Sequence, residues 1–262
     1  MNDQSLGPPL LRTTADGVAT LQLNRPRQYN ALSAALLDAL HAELDAVAAD
    51  SAVRVVLVTG SGNAFCSGHD LKEMRGLGSR AEVEKLFRRC SDMMRKLVAL
   101  PQPVIAVVNG LATAAGCQLV AQCDLAVASD NARFAASGVN LGLFCSTPAV
   151  AISRNLGRKR AVEMLFTGEF IDAETALDWG LVNRVAPHDQ LLETAHEIAS
   201  SLKSKPRDVL ALGKALFYRQ LEQGLAQAYD DASCTIAGNM DTDIAREGVD
   251  AFFDKRSPRW KD

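Results

Sequence analysis

Two rhythms of apolar residues alternate along the first 130 positions. Residues 17–23, GVATLQL, follow the period of two expected of a half-buried strand, and the NRPRQYN after them reads as a turn or loop. Ser33 then stands as an N-cap before Leu36, Leu37, Leu40, Leu44 and Val47, which recur at helical spacing. VRVVLVTG, 53–60, is nearly continuous and β-branched, the pattern of a strand buried on both faces. After the glycine-rich loop GSGNAFCSGHDLKEM, 60–74, one helical stripe collects Val83, Leu86, Phe87, Cys90, Met93, Met94 and Leu97 and is expected to be core. Pro101 and Pro103 end that helix, VIAVVN (104–109) is the next buried strand, and 115–122 is a short helix. A further strand, DLAVAS, runs from Asp124.

Beyond residue 140 the pattern turns helical, with segments near 146–155, 158–167, 173–178 and 188–203. From about Pro206 it is wholly helical, with Leu225, Tyr229, Ala232 and Ile236 on one face and Phe252 and Phe253 near the end. The chain therefore divides into an α/β core, 1–205, and a helical region, 206–262, of the kind that packs on another subunit.

At 262 residues and 48% hydrophobic, the chain buries a full core without disulfide or metal staples. A net charge of -3 provides no basic stripe for a phosphate backbone, so nucleic acid is not an expected partner. No apolar run reaches the roughly 20 residues that span a bilayer, and membrane insertion is not expected. Cysteines 66, 90, 117, 123, 145 and 234 show neither C-x-x-C pairs nor zinc-type histidine spacing, so no metal is expected and reduced thiols in the cytoplasm are the simplest reading. MNDQSLGPPLLRTTADG at the start resembles neither a secretory signal nor a transit peptide.

Two glycine-bearing turns carry the candidate chemistry. CSGHD, 66–70, follows the strand at 53–60, and TAAGCQ, 113–118, precedes a helix whose free N–H groups favour negative charge. Each alone reads as an ordinary loop or packing turn. Two such turns after successive parallel strands bring their amides to one sheet edge, where α/β folds bind ligands.

NRPRQYNALS (24–33), VRVVLVTGSGNAFCSGHDLKEM (53–74), PVIAVVNGLATAAGCQLVAQCDLAVAS (103–129), FAASGVNLGLFCSTP (134–148), LFTGEFIDAETALDWGLVNRV (165–185) and EGVDAFFDKRSPRW (247–260) form a collinear series that resembles the crotonase superfamily, the enoyl-CoA hydratase and isomerase family. The resemblance implies a spiral of ββα units, a C-terminal region that forms trimers or dimers of trimers, and binding of an acyl-CoA thioester, with coenzyme A entering as part of the substrate and no other cofactor. It maps an oxyanion hole onto Ser67 and Ala115. It maps coenzyme A contacts onto Ser67, Gly68, His69, Asp70 and Leu71, with Arg25 and Arg27 as further candidates.

Gln118 and Gly138 depart from that pattern, because they stand where family hydratases carry glutamates. Hydration needs one group to take a proton from water and another to deliver one to the α-carbon, and neither residue titrates. Hydratase activity is therefore expected to be weak or absent unless another group substitutes. His69 is the candidate proton shuttle. Ser137, Asn140, Cys145 and Ser146 surround the vacated position; Cys145 would act only with a lowered pKa. Asp70 is expected to cap the following helix and Asp124 to anchor structure. Isomerisation, decarboxylation or thioester hydrolysis on retained backbone donors stands first, a non-catalytic acyl-CoA binder or sensor second, and an oligomeric scaffold third.

Overall fold

The computed structural model describes residues 7–260; the opening residues 1–6, on which the N-terminal reading partly rests, lie outside the described residues. Strands and helices alternate in a repeated β-β-α order. The first turn is β1 (Leu10–Ala15), β2 (Val18–Leu23) and α1 (Ala34–Ala49); the second is β3 (Val55–Gly60), β4 (Ala64–Cys66), α2 (Leu71–Gly76) and α3 (Arg80–Ala99). The third is β5 (Val104–Val108), β6 (Leu111–Thr113) and α4 (Ala115–Gln122), and the fourth is β7 (Leu125–Ser129), β8 (Arg133–Ala135), a 3-10 turn at Ser137–Leu141 and α5 (Ser146–Asn155). Then follow α6 (Arg158–Thr167), β9 (Ile171–Asp172), α7 (Ala173–Trp179), β10 (Arg184–Ala186), α8 (Leu191–Lys203), α9 (Arg207–Gln220), α10 (Leu225–Met240) and α11 (Asp243–Phe253).

From the second turn to the fourth, each repeat adds one strand to each of two sheets. One sheet runs β1-β2-β3-β5-β7-β10 and the other β4-β6-β8-β9, with β3, β5 and β7 parallel in the first and β4, β6 and β8 parallel in the second. The fold is thus the α/β spiral of ββα units that was expected. The sequence reading missed β1, β4, β6, β8, β9 and β10. Five of these are three residues or fewer, too short to display a period, and β1 ends in exposed positions that break the apolar alternation.

The two-faced burial of the long strands follows from side-chain alternation. In β3, Val56 and Val58 join the cluster containing α1, α3 and α4, whereas Val55 and Leu57 face the cluster under α8; β5 repeats the division with Val104, Ala106 and Val108 against Ile105 and Val107. Ser33 caps α1 by accepting from the Leu36 amide at 3.2 Å. The α3 stripe is core only in its second half: Cys90, Met93, Met94 and Leu97 are buried, while Val83, Leu86 and Phe87 are partly exposed.

Asp124 joins the C-terminal helices to this body. Its carboxylate accepts from the Val104 amide at 2.7 Å, Lys214 Nζ at 2.7 Å and the Tyr218 hydroxyl at 2.8 Å, so α9 is tied to the edge between β5 and β7. Desolvation lowers the Lys214 pKa, with the Asp124 charge opposing it. Among the described residues, no helix is long and apolar enough to cross a membrane.

Candidate active site

The two turns singled out in the sequence lie against each other. Gly68 has φ +92°, and a β-carbon there would lie 3.0 Å from Ala114 Cβ and 3.2 Å from the Ala115 nitrogen. Thr113 Oγ1 donates to the Ser67 carbonyl at 3.0 Å, locking one turn to the other. At Gly116 an added β-carbon would overlap the Cys66 carbonyl, so the head of α4 sits directly on the β4 backbone. Ala114, just before α4, has φ 49° and ψ -118°. Such a conformation in a non-glycine residue costs on the order of 1–3 kcal/mol. The Ala114 amide is held in place by the Ala135 carbonyl at 2.9 Å.

This packing decides which amides remain available, and it corrects the assignment to Ser67. The Ser67 N–H donates to the Tyr29 carbonyl at 3.0 Å and is already used. Leu32 donates to the Gly68 carbonyl at 2.7 Å and accepts from the Asp70 amide at 3.2 Å, a parallel bridge centred on His69. In that pattern the His69 amide points away from Leu32. Among the described residues no acceptor is found for the amides of His69 or Ala115. The amides of His69 and Ala115, one on each turn, are therefore left unbonded, as are those of Gly116 and Cys117 in the first turn of α4. The bridge that reveals the free His69 amide pairs residues 37 positions apart, Leu32 and His69, and leaves no trace in the local sequence.

The side chains of the same loop have other tasks. Arg25 donates to the Ala31 carbonyl at 2.7 Å and to Asp70 at 3.1 Å and is largely buried, so it braces the loop instead of reaching out to a phosphate. Arg27 and Leu71 are exposed and open to a ligand. Asp70 caps α2, accepting from Lys72 and Glu73. Burial acts to raise its pKa, but the bond from Arg25 and the two cap amides outweigh it and the net shift is downward.

His69 does not fit the role of proton donor. Its ring packs on Phe87 with centroids 4.7 Å apart, its Nε2 is buried without a partner, and burial lowers its pKa from 6.5 to about 4. The imidazole is neutral near pH 7 and has no extra proton to give. The cysteines offer no substitute: burial raises the Cys66, Cys90 and Cys117 thiols to about 12 and raises Cys123 and Cys145 as well. No three His, Cys, Asp or Glu side chains converge as a metal site among the described residues.

Gln118 and Gly138 complete the picture. Gln118 is 4% exposed, and its Oε1 is sealed from solvent without a partner. Side chains of a helix lean toward its N-terminus, so Gln118 reaches back over the turn that begins with Ala115. Gly138 sits in the 3-10 turn with its amide donating to Cys145 Sγ at 3.3 Å. A β-carbon at Gly138 would lie 2.5 Å from the Leu143 carbonyl and 2.8 Å from Cys145 Sγ. The space a side chain would need at 138 is already filled. Two clefts of about 500 and 470 Å³ lie elsewhere, around Glu247, Arg256 and Trp260 and over the β1–β2 face of the larger sheet; neither is lined by the unbonded amides at His69 and Ala115.

The profile of the enoyl-CoA hydratase/isomerase family matches residues 13–262. Enoyl-CoA hydratase domain-containing protein 3 of Rattus norvegicus is 49% identical over 245 residues, covering 94% of this chain and 82% of the relative. The crystal structure of an enoyl-CoA hydratase from Mycobacterium smegmatis superposes with a TM-score of 0.94 at 56% identity, over 97% of this chain and 99% of that one. That of human enoyl-CoA hydratase domain-containing protein 3 gives 0.93 at 46% identity, over 96% and 100%. The expected cytoplasmic location is overturned by such relatives. The rat, mouse, human and Xenopus laevis proteins, 46–49% identical, are all named mitochondrial. The thiol argument failed because five of the six cysteines are buried, and burial keeps a thiol unreactive whichever compartment surrounds it.

Proposed function

The chain belongs to the enoyl-CoA hydratase/isomerase family of the crotonase superfamily, and on that premise we propose that it binds an acyl-CoA thioester whose carbonyl oxygen lies between the amides of His69 and Ala115. The observation that carries this reading is the pair of unbonded N–H groups on two interlocked turns, one at the head of a helix. Fixed donors aimed at an oxygen that gains charge stabilise an enolate whatever the nearby side chains are, and removing one such donor elsewhere costs about 10²–10³ in rate. The thioester carbonyl is polarised, the α-carbon is acidified, and isomerisation, decarboxylation or hydrolysis becomes accessible.

Ordinary hydration is the weak point of that chemistry. Gln118 holds no proton to exchange, Gly138 has no side chain, and each missing acid or base is worth about 10²–10⁴-fold. Hydration of crotonyl-CoA is therefore expected at least 10²-fold below that of a family hydratase carrying both glutamates. The second reading, a non-catalytic acyl-CoA binder, is supported by the same absence together with a neutral His69 and protonated thiols. Residues 206–262 serve oligomerisation, as trimer or hexamer: Leu225, Tyr229, Ile236, Phe252 and Phe253 are each more than half exposed in the single chain.

Calorimetric titration with butyryl-CoA tests the proposal, with Ala115→Pro as the probe. Position 115 opens α4, where the φ of proline suits a first helical residue, and the ring replaces the N–H in question with a carbon. Binding by the wild type and its loss in a variant that still melts cooperatively is the expected result. Absence of thioester binding, or binding untouched by Ala115→Pro, overturns it.

A further inference from the structure

The segment that takes the Ser67 amide and turns the His69 amide outward is itself held from behind by one side chain. Asn30 is fully buried, and its carboxamide is hydrogen-bonded on every side. Its Oδ1 accepts from the Arg25 amide at 2.8 Å and the Ser61 hydroxyl at 3.4 Å, while its Nδ2 donates to the Ser61 carbonyl at 2.9 Å and the Ala64 carbonyl at 2.7 Å. A carboxamide turned the other way would set oxygen against two carbonyls and N–H against N–H, so the network admits one orientation. Gly60 makes room for it: a β-carbon there would lie 2.8 Å from Asn30 Nδ2 and 2.2 Å from the Ala64 carbonyl oxygen.

Asn30 thereby fastens residues 29–32 to the chain entering β4, and the same residues grip the chain leaving it. The Tyr29 carbonyl takes the Ser67 amide, and Leu32 brackets His69 by bonding Gly68 and Asp70. Tyr29 and Asn30 both stand in the left-handed region, with φ 50° and 55°. Asparagine visits that region readily and tyrosine does not, so the turn keeps its shape only while its contacts over-determine it. We propose that Asn30 is the positioning residue of the His69 donor, acting through residues 29–32 to aim the His69 N–H at the thioester oxygen. This rests on the acyl-CoA reading above and adds the side chain that sets one donor's direction. Being fully buried, Asn30 meets no ligand, so its effect falls on the polarisation of the carbonyl and not on the grip on coenzyme A. A misplacement of about 1 Å caused by a remote substitution costs up to about 10²-fold in an oriented site.

Infrared difference spectra of bound butyryl-CoA carrying carbon-13 at its carbonyl test this in wild type, Asn30→Asp, Asn30→Gly and Gln102→Ala, with thermal melts and calorimetric titrations on each. Asn30→Asp keeps the size and the acceptor for Arg25 but sets oxygen against the Ser61 and Ala64 carbonyls; Asn30→Gly keeps only the backbone freedom. Gln102 is a second buried carboxamide, bonded to the Val47 and Val53 carbonyls before β5, so its loss destabilises the protein without touching the donors. The carbonyl band is expected to move to lower frequency on binding to wild type and Gln102→Ala. In the Asn30 variants about half of that shift or more is lost, one donor of two, while affinity falls no more than about tenfold. An unchanged shift in a folded Asn30 variant, or an equal loss in Gln102→Ala, refutes the positioning role while leaving thioester binding intact. If neither Asn30 variant melts cooperatively while Gln102→Ala does, the residue serves folding alone and the assignment is overturned. If wild type binds no thioester, or binds it with an unshifted carbonyl, the acyl-CoA reading falls and takes this inference with it.

Discussion

Gly138→Ala isolates the reason the second acid is missing. The added β-carbon lies 2.5 Å from the Leu143 carbonyl oxygen and 2.8 Å from Cys145 Sγ, about 1 Å inside ordinary contact distance on both sides. One obstacle is backbone, so a rotamer change cannot relieve it. Leu143 and Phe144 are about half exposed, which lets the 141–145 segment move outward at a cost typical of overpacking, about 1–3 kcal/mol. For a protein of this size that corresponds to a fall in Tm of roughly 2–10 °C. The movement also breaks the 3.3 Å bond from the Gly138 amide to Cys145. Scanning calorimetry on Gly138→Ala and Gly138→Ala/Cys145→Ala reads both terms, the double variant recovering part of the loss because only the sulfur contact is removed. Gly138→Glu carries the same penalty, so Gln118→Glu/Gly138→Glu is expected to remain a poor hydratase despite having both acids. A Gly138→Ala protein that melts with the wild type, or a double glutamate variant that hydrates crotonyl-CoA as fast as a family hydratase, would falsify the claim that the position is closed by packing.

Asp124→Ala leaves the buried Lys214 ammonium without its counter-charge, bonded only to the Leu97 and Gln102 carbonyls, and is expected to cost about 3–5 kcal/mol; Asp124→Leu/Lys214→Met should lose far less, and hydrogen exchange should show α9 loosening first in the single variant. Unchanged exchange in 207–220 after Asp124→Ala would contradict the anchoring role. The half-buried His69, with its Nε2 sealed from solvent, sets an acid limb. Because its folded pKa is about 4 against an ordinary 6.5, the unfolded chain takes up the proton first, and stability is lost as pH falls from about 6.5 to 4, by up to about 3 kcal/mol. His69→Phe should flatten that limb in urea titrations at pH 4 to 7; an identical slope in both proteins speaks against a depressed His69.

Much of this protein was legible from the residue pattern. Leu36, Leu37, Leu40, Leu44 and Val47 fixed α1 because a 3.6-residue period buries one face, and VRVVLVTG and VIAVVN announced strands enclosed on both sides. Asp70 as a helix cap and Asp124 as an anchor followed from residue type and place. The departures at 118 and 138 were visible as single letters against the family pattern.

Tertiary structure alone decided which of those letters matter and how. That Ser67 has spent its amide on Tyr29 while His69 has not depends on a bridge to Leu32, and that Arg25 is a brace depends on Ala31 and Asp70. That Gly138 cannot regain a side chain depends on a carbonyl and a sulfur five and seven positions away. Hydrophobic periodicity is a local property, written wherever a helix or strand shows one face to the core. Hydrogen-bond availability and free volume are sums over everything that approaches a group in space, and a linear pattern does not carry that sum.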